Sequence, residues 1–290
     1  MPSKMLLILN PVAGKMRAQA YDIPALFPAH EVTVYYTEGG ISTEEYVSSN
    51  AAAYDLLVCA GGDGTLNHVI GGLMRAEKRP PLGYIPCGTT NDFAASLGLP
   101  KSIPLAAAVV SEGQPEAIDI GSLDERYFCY SASFGAFTES SYSAPQGNKN
   151  KLGRMAYFFE AMREFPHIHP CHMTVETDNG RFEGDYVFGA VSNSTTLGGM
   201  LHLSPEDVIY NDGLFEVMLI SMPRSILDYQ QILSSLMRQQ YNSEYITFFR
   251  TKHAVFSGDR AYPWSLDGEY ESGSNTVEIK VHPGAVRLIL

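Results

Sequence analysis

Two short stretches of the chain place glycines, threonines and aspartates in an order suited to handling phosphate. The first runs from Ala60 to Thr65: an apolar run gives way to Gly61, Gly62, Asp63, Gly64 and Thr65, and LNHVIGGLM then takes a helical period. Glycines let the backbone approach a bound group closely and turn its N–H donors toward that group. A helix start adds further donors and a dipole favourable to anions. Asp63 among these donors would repel a bare phosphate, so its presence makes most sense with Mg²⁺ between carboxylate and phosphate oxygens. A plain glycine-rich turn is the competing reading.

The second stretch repeats the geometry, with the strand PLGYI followed by Pro86, Gly88, Thr89, Thr90, Asn91 and Asp92, then the helical FAASLGL. Asn91 or Asp92 alone reads equally well as a helix cap. Two such loops, each with an aspartate, are a more specific signal than either. Two other phosphate motifs are excluded by letter. GxGxxG fails at Asn67, and the P-loop pattern fails because Gly14 and Lys15 are followed by Met16, with no glycine at position 9.

Loops of this kind need strands to present them. The runs KMLLILN, EVTVYYT, YDLLVCA and PLGYIP alternate with helical patterns and end in PVAGK, EGGIS, GGDGT and CGTTND. This predicts an α/β domain over residues 1–120 with a parallel sheet and its loops at the carboxyl edge, where open α/β sheets bind ligands. From about Asp119 the segments RYFCYSASFG, HMTVETD, RFEGDYVFGAVSN, GLFEVMLIS, YITFFRT, HAVFSG, YPWSLDGEY and NTVEIKV predict a mostly antiparallel β-sandwich over 121–282. Helices are expected around Lys151–Glu164 and Arg224–Gln240. The apolar ending VRLIL reads as a docked strand, so the tail at 283–290 is expected to return to the first domain.

At 290 residues with 45% hydrophobic content, the chain can fill two cores. A net charge of -12 opposes general attraction to nucleic acid or an anionic membrane, leaving room only for a local basic patch. Cys59, Cys87, Cys129 and Cys171 form no CxxC pair, which fits a reducing cytoplasm and neither a disulfide framework nor a zinc ribbon. The run Met5–Leu9 stops at Asn10 and Pro11, too short for a signal-peptide core or a membrane span.

NPVAG at 10–14, GGDGT followed by LN, and IPCGTTNDFA at 85–94 together resemble the diacylglycerol kinase catalytic family, which includes bacterial lipid kinases and sphingosine kinases. Phosphofructokinases and NAD kinases share the GGDG element but not the second motif. The resemblance continues through KLGRMAY at 151–157, LSPEDVIYNDGLFEV at 203–217 and LDGE at 266–269, and so covers essentially the whole chain.

The resemblance implies an ATP- and Mg²⁺-dependent lipid kinase with its site in a cleft between two domains. The implied nucleotide contacts are Asn10, Pro11, Val12, Ala13, Gly14, Thr37, Gly62, Asp63, Gly64, Thr65, Leu66, Asn67, His68 and Thr89. Asn91 and Asp92 of the second loop join them on the physical grounds above. Asp63 is expected to face a catalytic Mg²⁺. The family's proton acceptor maps to Glu269, with Asp267 beside it, and residues two apart on a strand share a face. A surface hairpin is the competing reading of Asp267 and Gly268. The resemblance also implies a structural Mg²⁺ held by Asp212 and the carbonyls of Ile209 and Leu214, whereas Asn211, Asp212 and Gly213 alone read as a tight turn. His68 stands where the family usually has glutamate, which puts metal number or nucleotide preference in question.

The expected partners are a lipid substrate and a transient membrane surface, with peripheral association of a cytoplasmic protein. Nucleic acid is not expected, and family members can form homodimers. The face of Met155, Phe158, Phe159, Met162 and Phe165 is spaced for core packing and is also the candidate for acyl-chain contact, with Lys149, Lys151 and Arg154 nearby. His167, His169, Cys171 and His172 lack a second ligand pair at zinc-like spacing and read as a solvated strand start. The rival functions are a soluble-substrate kinase of the NAD kinase type and a non-catalytic nucleotide or lipid sensor.

Overall fold

The computed structural model describes residues 2–14, 22–38, 41–135, 169–197, 201–203 and 208–290. The helix expected around Lys151–Glu164, with its aromatic face and neighbouring lysines and arginine, lies outside them. The chain divides into two compact units, Met1–Ile120 with Pro283–Leu290, and Gly121–His282.

In the first unit β1 (Ser3–Leu9) is flanked in parallel by β2 (His30–Tyr36) and β3 (Leu56–Gly61), and β4 (Leu82–Pro86) lies parallel to β3. Leu9 stands opposite both Tyr36 and Ala60, and Gly61 opposite Pro86, so the loops that follow all four strands emerge at one edge. Helices α1 (Thr43–Asn50), α2 (Asp63–Arg75), α3 (Asp92–Ser96) and α4 (Ile103–Glu112) occupy the connections. A parallel sheet covered by helices is buried on both faces, which is why successive residues Met5, Leu6, Leu7 and Ile8 are all fully buried rather than alternating. Ile103, Ala106, Ala107 and Val110 of α4 share one core with Met5, Leu7, Val58 and Ile85. The strand β5 (Pro115–Leu123) leads out of this unit, and Leu288 near the end of the chain pairs in parallel with Leu82.

The second unit is antiparallel. It contains β6 (Arg126–Phe128), β7 (Ser131–Gly135), β8 (Cys171–Thr177), β9 (Gly180–Ser192), and the two-residue strands β10 (Thr196–Leu197) and β11 (Leu201–His202). After them come β12 (Phe215–Ser221), α5 (Ile226–Met237), β13 (Ile246–Thr251), β14 (His253–Gly258), β15 (Trp264–Leu266), β16 (Glu269–Glu271) and β17 (Thr276–Ile289), whose residues from Pro283 onward belong to the first unit. The strands run in the order β16-β15-β7-β9-β8-β14-β17, and β12 pairs with β9 and β13.

Strand alternation divides the side chains between two cores. Phe215, Val217 and Leu219 join Phe134, Phe256 and Trp264 in one, while Met218 and Ile220 join Ile232 and Leu236 of α5 in the other. The Trp264 ring lies 4.9 Å from that of Phe134 and 5.1 Å from that of Phe256. Helix α5 opens with a reciprocal cap between Ser225 and Asp228. Its periodicity reads as a core helix, and Ile232 and Leu236 do pack into the core, with Tyr229 and Leu233 against it. Beyond that face Ile226 and Leu227 are each 74% exposed and Met237 is 69% exposed. No helix among the described residues is long and apolar enough to cross a membrane.

Candidate functional site

In the first unit, three of the expected loops are tied together by their own polar groups. The Asn10 N–H donates to the Ala60 carbonyl at 3.0 Å, and the Asn10 side-chain amide donates to Thr65 Oγ1 at 2.9 Å. The Asn10 Oδ1 accepts from the Val12 N–H at 3.1 Å, which shapes the turn of NPVAG. Between the other two loops, the Cys87 N–H donates to the Gly61 carbonyl at 2.8 Å, and the Asp92 N–H donates to Asp63 Oδ2 at 3.0 Å. The Asp63 carboxylate thus holds the start of α3 while standing in the first turn of α2.

Glycine permits this approach. A β-carbon on Gly88 would come within 2.6 Å of Gly62 Cα and 2.7 Å of Asn91 Oδ1, and one on Gly14 within 3.1 Å of Thr89 Oγ1. Asn91 takes a left-handed conformation, φ 53°, at the N-cap of α3 but makes no side-chain cap bond. Its side chain brackets Gly88 instead, accepting from the Gly88 N–H at 2.9 Å and donating to the Gly88 carbonyl at 2.7 Å. The capping alternative therefore describes its position but not its bonds.

The remaining residues of this set differ in what they offer. Val12, Gly14 and Thr89 are exposed, Asn10, Pro11, Thr37, Gly62, Asp63, Gly64, Thr65, His68 and Asp92 are half-buried, and Ala13 and Asn67 are buried. Leu66 is fully buried, so its side chain belongs to the interior rather than to a ligand surface. The Thr37 N–H is bonded to the Leu9 carbonyl at 3.1 Å, which places that residue at the same strand edge. Beneath the loops, burial pushes the Cys59 thiol well above its usual range, reinforced by Cys87 and the charge of Asp63.

In the second unit, Asp267 and Glu269 do not lie on one strand. Leu266 pairs with Glu269 across the hairpin of β15 and β16, and Asp267 and Gly268 form its two-residue turn with φ 50° and 88°. Positive φ at both positions suits the turn that matches strand twist, which explains a residue tolerant of that region followed by glycine. The expectation of one shared strand face is corrected accordingly. Nor is the turn a surface feature at Asp267, which is 4% exposed. Its carboxylate accepts from the backbone N–H groups of Cys129, Tyr130 and Ser131 at 2.6, 2.9 and 3.0 Å. Glu269 is half-buried at the start of β16.

Asp212 behaves as part of a tight turn. Its Oδ1 accepts from the Leu214 N–H at 2.9 Å, while Oδ2 lies 3.6 Å from the guanidinium of Arg250. Arg250 also reaches the buried Glu216 at 3.2 Å, directly across the β12–β13 register. Ile209 is 46% exposed. Arg250 and Glu216 escaped the sequence reading because only strand register shows that they face each other. Cys171 begins β8, buried and with its thiol pushed up to about 11 by burial, and His172 bonds Asp185 at 2.8 Å through Nδ1. His167 lies outside the described residues. Among the described residues no group of three or more His, Cys, Asp and Glu side chains is gathered to hold a metal.

Chemically, the first-unit loops fit a phosphate chain with a cation. The glycines let the two loops approach closely, Gly88 against Gly62 and Gly14 against Thr89, and α2 starts there without a side-chain cap bond, so its first N–H groups could bind an anion. Asp63 and Asp92 are the carboxylates beside it, the hard oxygen donors that Mg²⁺ takes.

Family comparisons agree with this layout. Residues 4–123 match the model of the diacylglycerol kinase catalytic domain, and residues 136–290 match that of the YegS C-terminal NAD kinase beta sandwich-like domain. A diacylglycerol kinase of Bacillus subtilis strain 168 is 30% identical over 280 residues, covering 91% of this chain and 89% of its own. One from Staphylococcus carnosus strain TM300 is 29% identical over 297 residues, covering 97% and 94%. A crystal structure of a diacylglycerol kinase from Bacillus anthracis strain Sterne superposes with a TM-score of 0.75 at 22% identity, over 99% of this chain and 96% of that one, a likeness of fold. With both parts matched and 30% identity sustained over nine-tenths of its length, the chain belongs to the diacylglycerol kinase catalytic-domain family.

Proposed function

We propose that this protein transfers the γ-phosphate of ATP to the hydroxyl of diacylglycerol or a lipid of the same shape. The observation that carries the reading is the Asp63 carboxylate bonded to the Asp92 N–H, which joins GGDGT to CGTTND at a glycine-lined strand edge. The relatives named as diacylglycerol kinases supply the lipid. Asn10 to Gly14, Gly62 to Thr65, Asn67, His68, Thr89 and Thr37 would surround the nucleotide, and Asp63 with Asp92 would hold Mg²⁺. The cation would neutralise charge on the transferring phosphoryl group, which is what phosphoryl transfer chiefly needs.

In the reaction the bond from the γ-phosphorus to the bridging oxygen breaks and one from phosphorus to the lipid oxygen forms. ADP leaves, and Glu269 takes the hydroxyl proton. A lipid acceptor also requires visits to a membrane surface. The structural Mg²⁺ at Asp212 remains a separate proposal, and Arg250 would compete with it for that carboxylate.

The test offers labelled ATP with Mg²⁺ to diacylglycerol, monoacylglycerol, sphingosine and phosphatidylglycerol in mixed micelles, and to NAD in solution. Wild type should label diacylglycerol, and Glu269→Gln should lose about 10³-fold in kcat with KM for ATP little changed. Labelling of NAD in place of every lipid would move the protein to the soluble-substrate class. Tight ATP binding without transfer to any acceptor would make it a sensor.

A further inference from the structure

We infer that Asp267 is a positioning residue that fastens the hairpin carrying Glu269, and is not a second acid at the reacting atoms. The inference deepens the kinase reading and rests on it for its catalytic consequence. Asp267 has roughly four acceptor directions. Three of them are met by consecutive backbone donors, Cys129 at 2.6 Å, Tyr130 at 2.9 Å and Ser131 at 3.0 Å. Little of that carboxylate remains for a substrate proton or a metal.

The backbone of Asp267 is engaged as well. Its N–H donates to the Ser131 carbonyl at 2.8 Å, and its carbonyl accepts from the Tyr130 hydroxyl at 3.2 Å. Tyr130 in turn is anchored to the end of β9, where its carbonyl accepts from the Ser192 hydroxyl at 2.9 Å and from the Asn193 N–H at 3.0 Å. Ser192 and Asn193 are fully buried. Glu269 follows two residues after Asp267, past a glycine where an added β-carbon would meet nothing within 4 Å among the described residues. Strand pairing holds the arms of the hairpin, Leu266 opposite both Ala132 and Glu269. The bonds of Asp267 fasten the turn itself to Cys129–Ser131, and a network of buried, hydrogen-bonded polar groups is the kind that holds a site to fractions of an ångström.

Asp267→Asn separates the two roles. Asparagine tolerates the left-handed region, so the turn can persist, but its amide nitrogen presents hydrogens where an N–H donor now finds oxygen. If Asp267 positions Glu269, folded Asp267→Asn should lose about 100-fold in kcat with KM for ATP within about twofold, the scale of a misplacement near 1 Å. The acid limb of its kcat–pH profile should survive, because Glu269 is still the base, whereas Glu269→Gln should lack that limb. In hydrogen exchange by mass spectrometry, the peptide containing Cys129–Ser131 should exchange at least about tenfold faster than in wild type, with β8 and β14 unchanged. Tyr130→Phe, which removes only the hydroxyl bond, should show a smaller kcat loss in the same direction and serves if Asp267→Asn does not fold.

Wild-type kcat in folded Asp267→Asn would reduce the residue to a structural one and overturn the inference. So would loss of the acid limb in Asp267→Asn together with its retention in Glu269→Gln, which would make Asp267 the base. Inactivity of wild type on every lipid would defeat the kinase reading separately. The exchange measurement would then still decide whether Asp267 fastens the hairpin, since unchanged protection at Cys129–Ser131 contradicts it.

Discussion

Asp63 and Asp267 each precede a glycine, and the two dipeptides are built for opposite ends. Asp63-Gly64 opens a helix, half-buried, with one backbone N–H from a neighbouring loop on its carboxylate. Asp267-Gly268 closes a hairpin, with its carboxylate buried under three backbone donors. A half-buried carboxylate at a helix start is placed to meet a cation, whereas a buried one held by three backbone donors keeps backbone in place. Chemistry follows from the surroundings more than from the residue type.

The contrast can be broken most directly at Asp63. Asp63→Asn removes a charge but keeps an acceptor for the Asp92 N–H, so lipid phosphorylation should fall about 10³-fold while thermal unfolding stays within about 2 °C of wild type. A large drop in melting temperature would place Asp63 in the same class as Asp267.

Gly88→Ala acts on the same loops through shape. A β-carbon 2.6 Å from Gly62 Cα cannot be accommodated without parting backbone from backbone. Steady-state kinetics should show KM for ATP raised about tenfold, and urea unfolding a loss of about 2 kcal/mol. An unchanged KM would mean that the nucleotide does not depend on the contact between these loops.

The smallest effect belongs to a pair outside both motifs. The hydrogen bond to Asp185 raises the His172 pKa above its ordinary 6.5, outweighing the desolvation that lowers it, and the charges of Asp185, Asp259 and Glu183 add to the rise. A folded pKa above the unfolded one means the pair's contribution is complete below about pH 6.5 and is lost as pH rises through the folded value. His172→Gln should therefore lower the urea midpoint slightly at pH 5.5 and not at pH 9. The ring is 55% exposed, so the shift should also shrink in high salt, unlike any effect at Asp267.

Most of the parallel half is readable in the sequence because, while β2 has no fully buried residue and is recognised by its β-branched and aromatic residues, the runs of β1, β3 and β4 are continuous and buried. KMLLILN and YDLLVCA become β1 and β3 for that reason. The antiparallel half is readable from aromatic and β-branched residues in segments such as HAVFSG, which becomes β14. Features set by distant pairing are not readable. The donors to Asp267 lie 136 to 138 positions away, and nothing near LDGE announces them. Asn91 is likewise a plausible cap by type, while its actual partner is decided by a left-handed backbone. Helix α5 shows a third limit. Periodicity reveals which residues share a face, but not that Ile226, Leu227 and Met237 sit beyond the edge of the core it covers.

The return of the last strand has a consequence for the order of events during synthesis. The guanidinium of Arg79 donates to the Ala285 carbonyl across 206 positions, and Leu288 completes the sheet beside Leu82. The first unit cannot close its β4 edge until the whole intervening β-rich unit has left the ribosome. The earlier-made half is thus finished last, and its exposed strand edge must wait without self-association. In such a topology, slowing translation between Gly121 and His282 should lengthen the interval of vulnerability rather than help the first unit to fold.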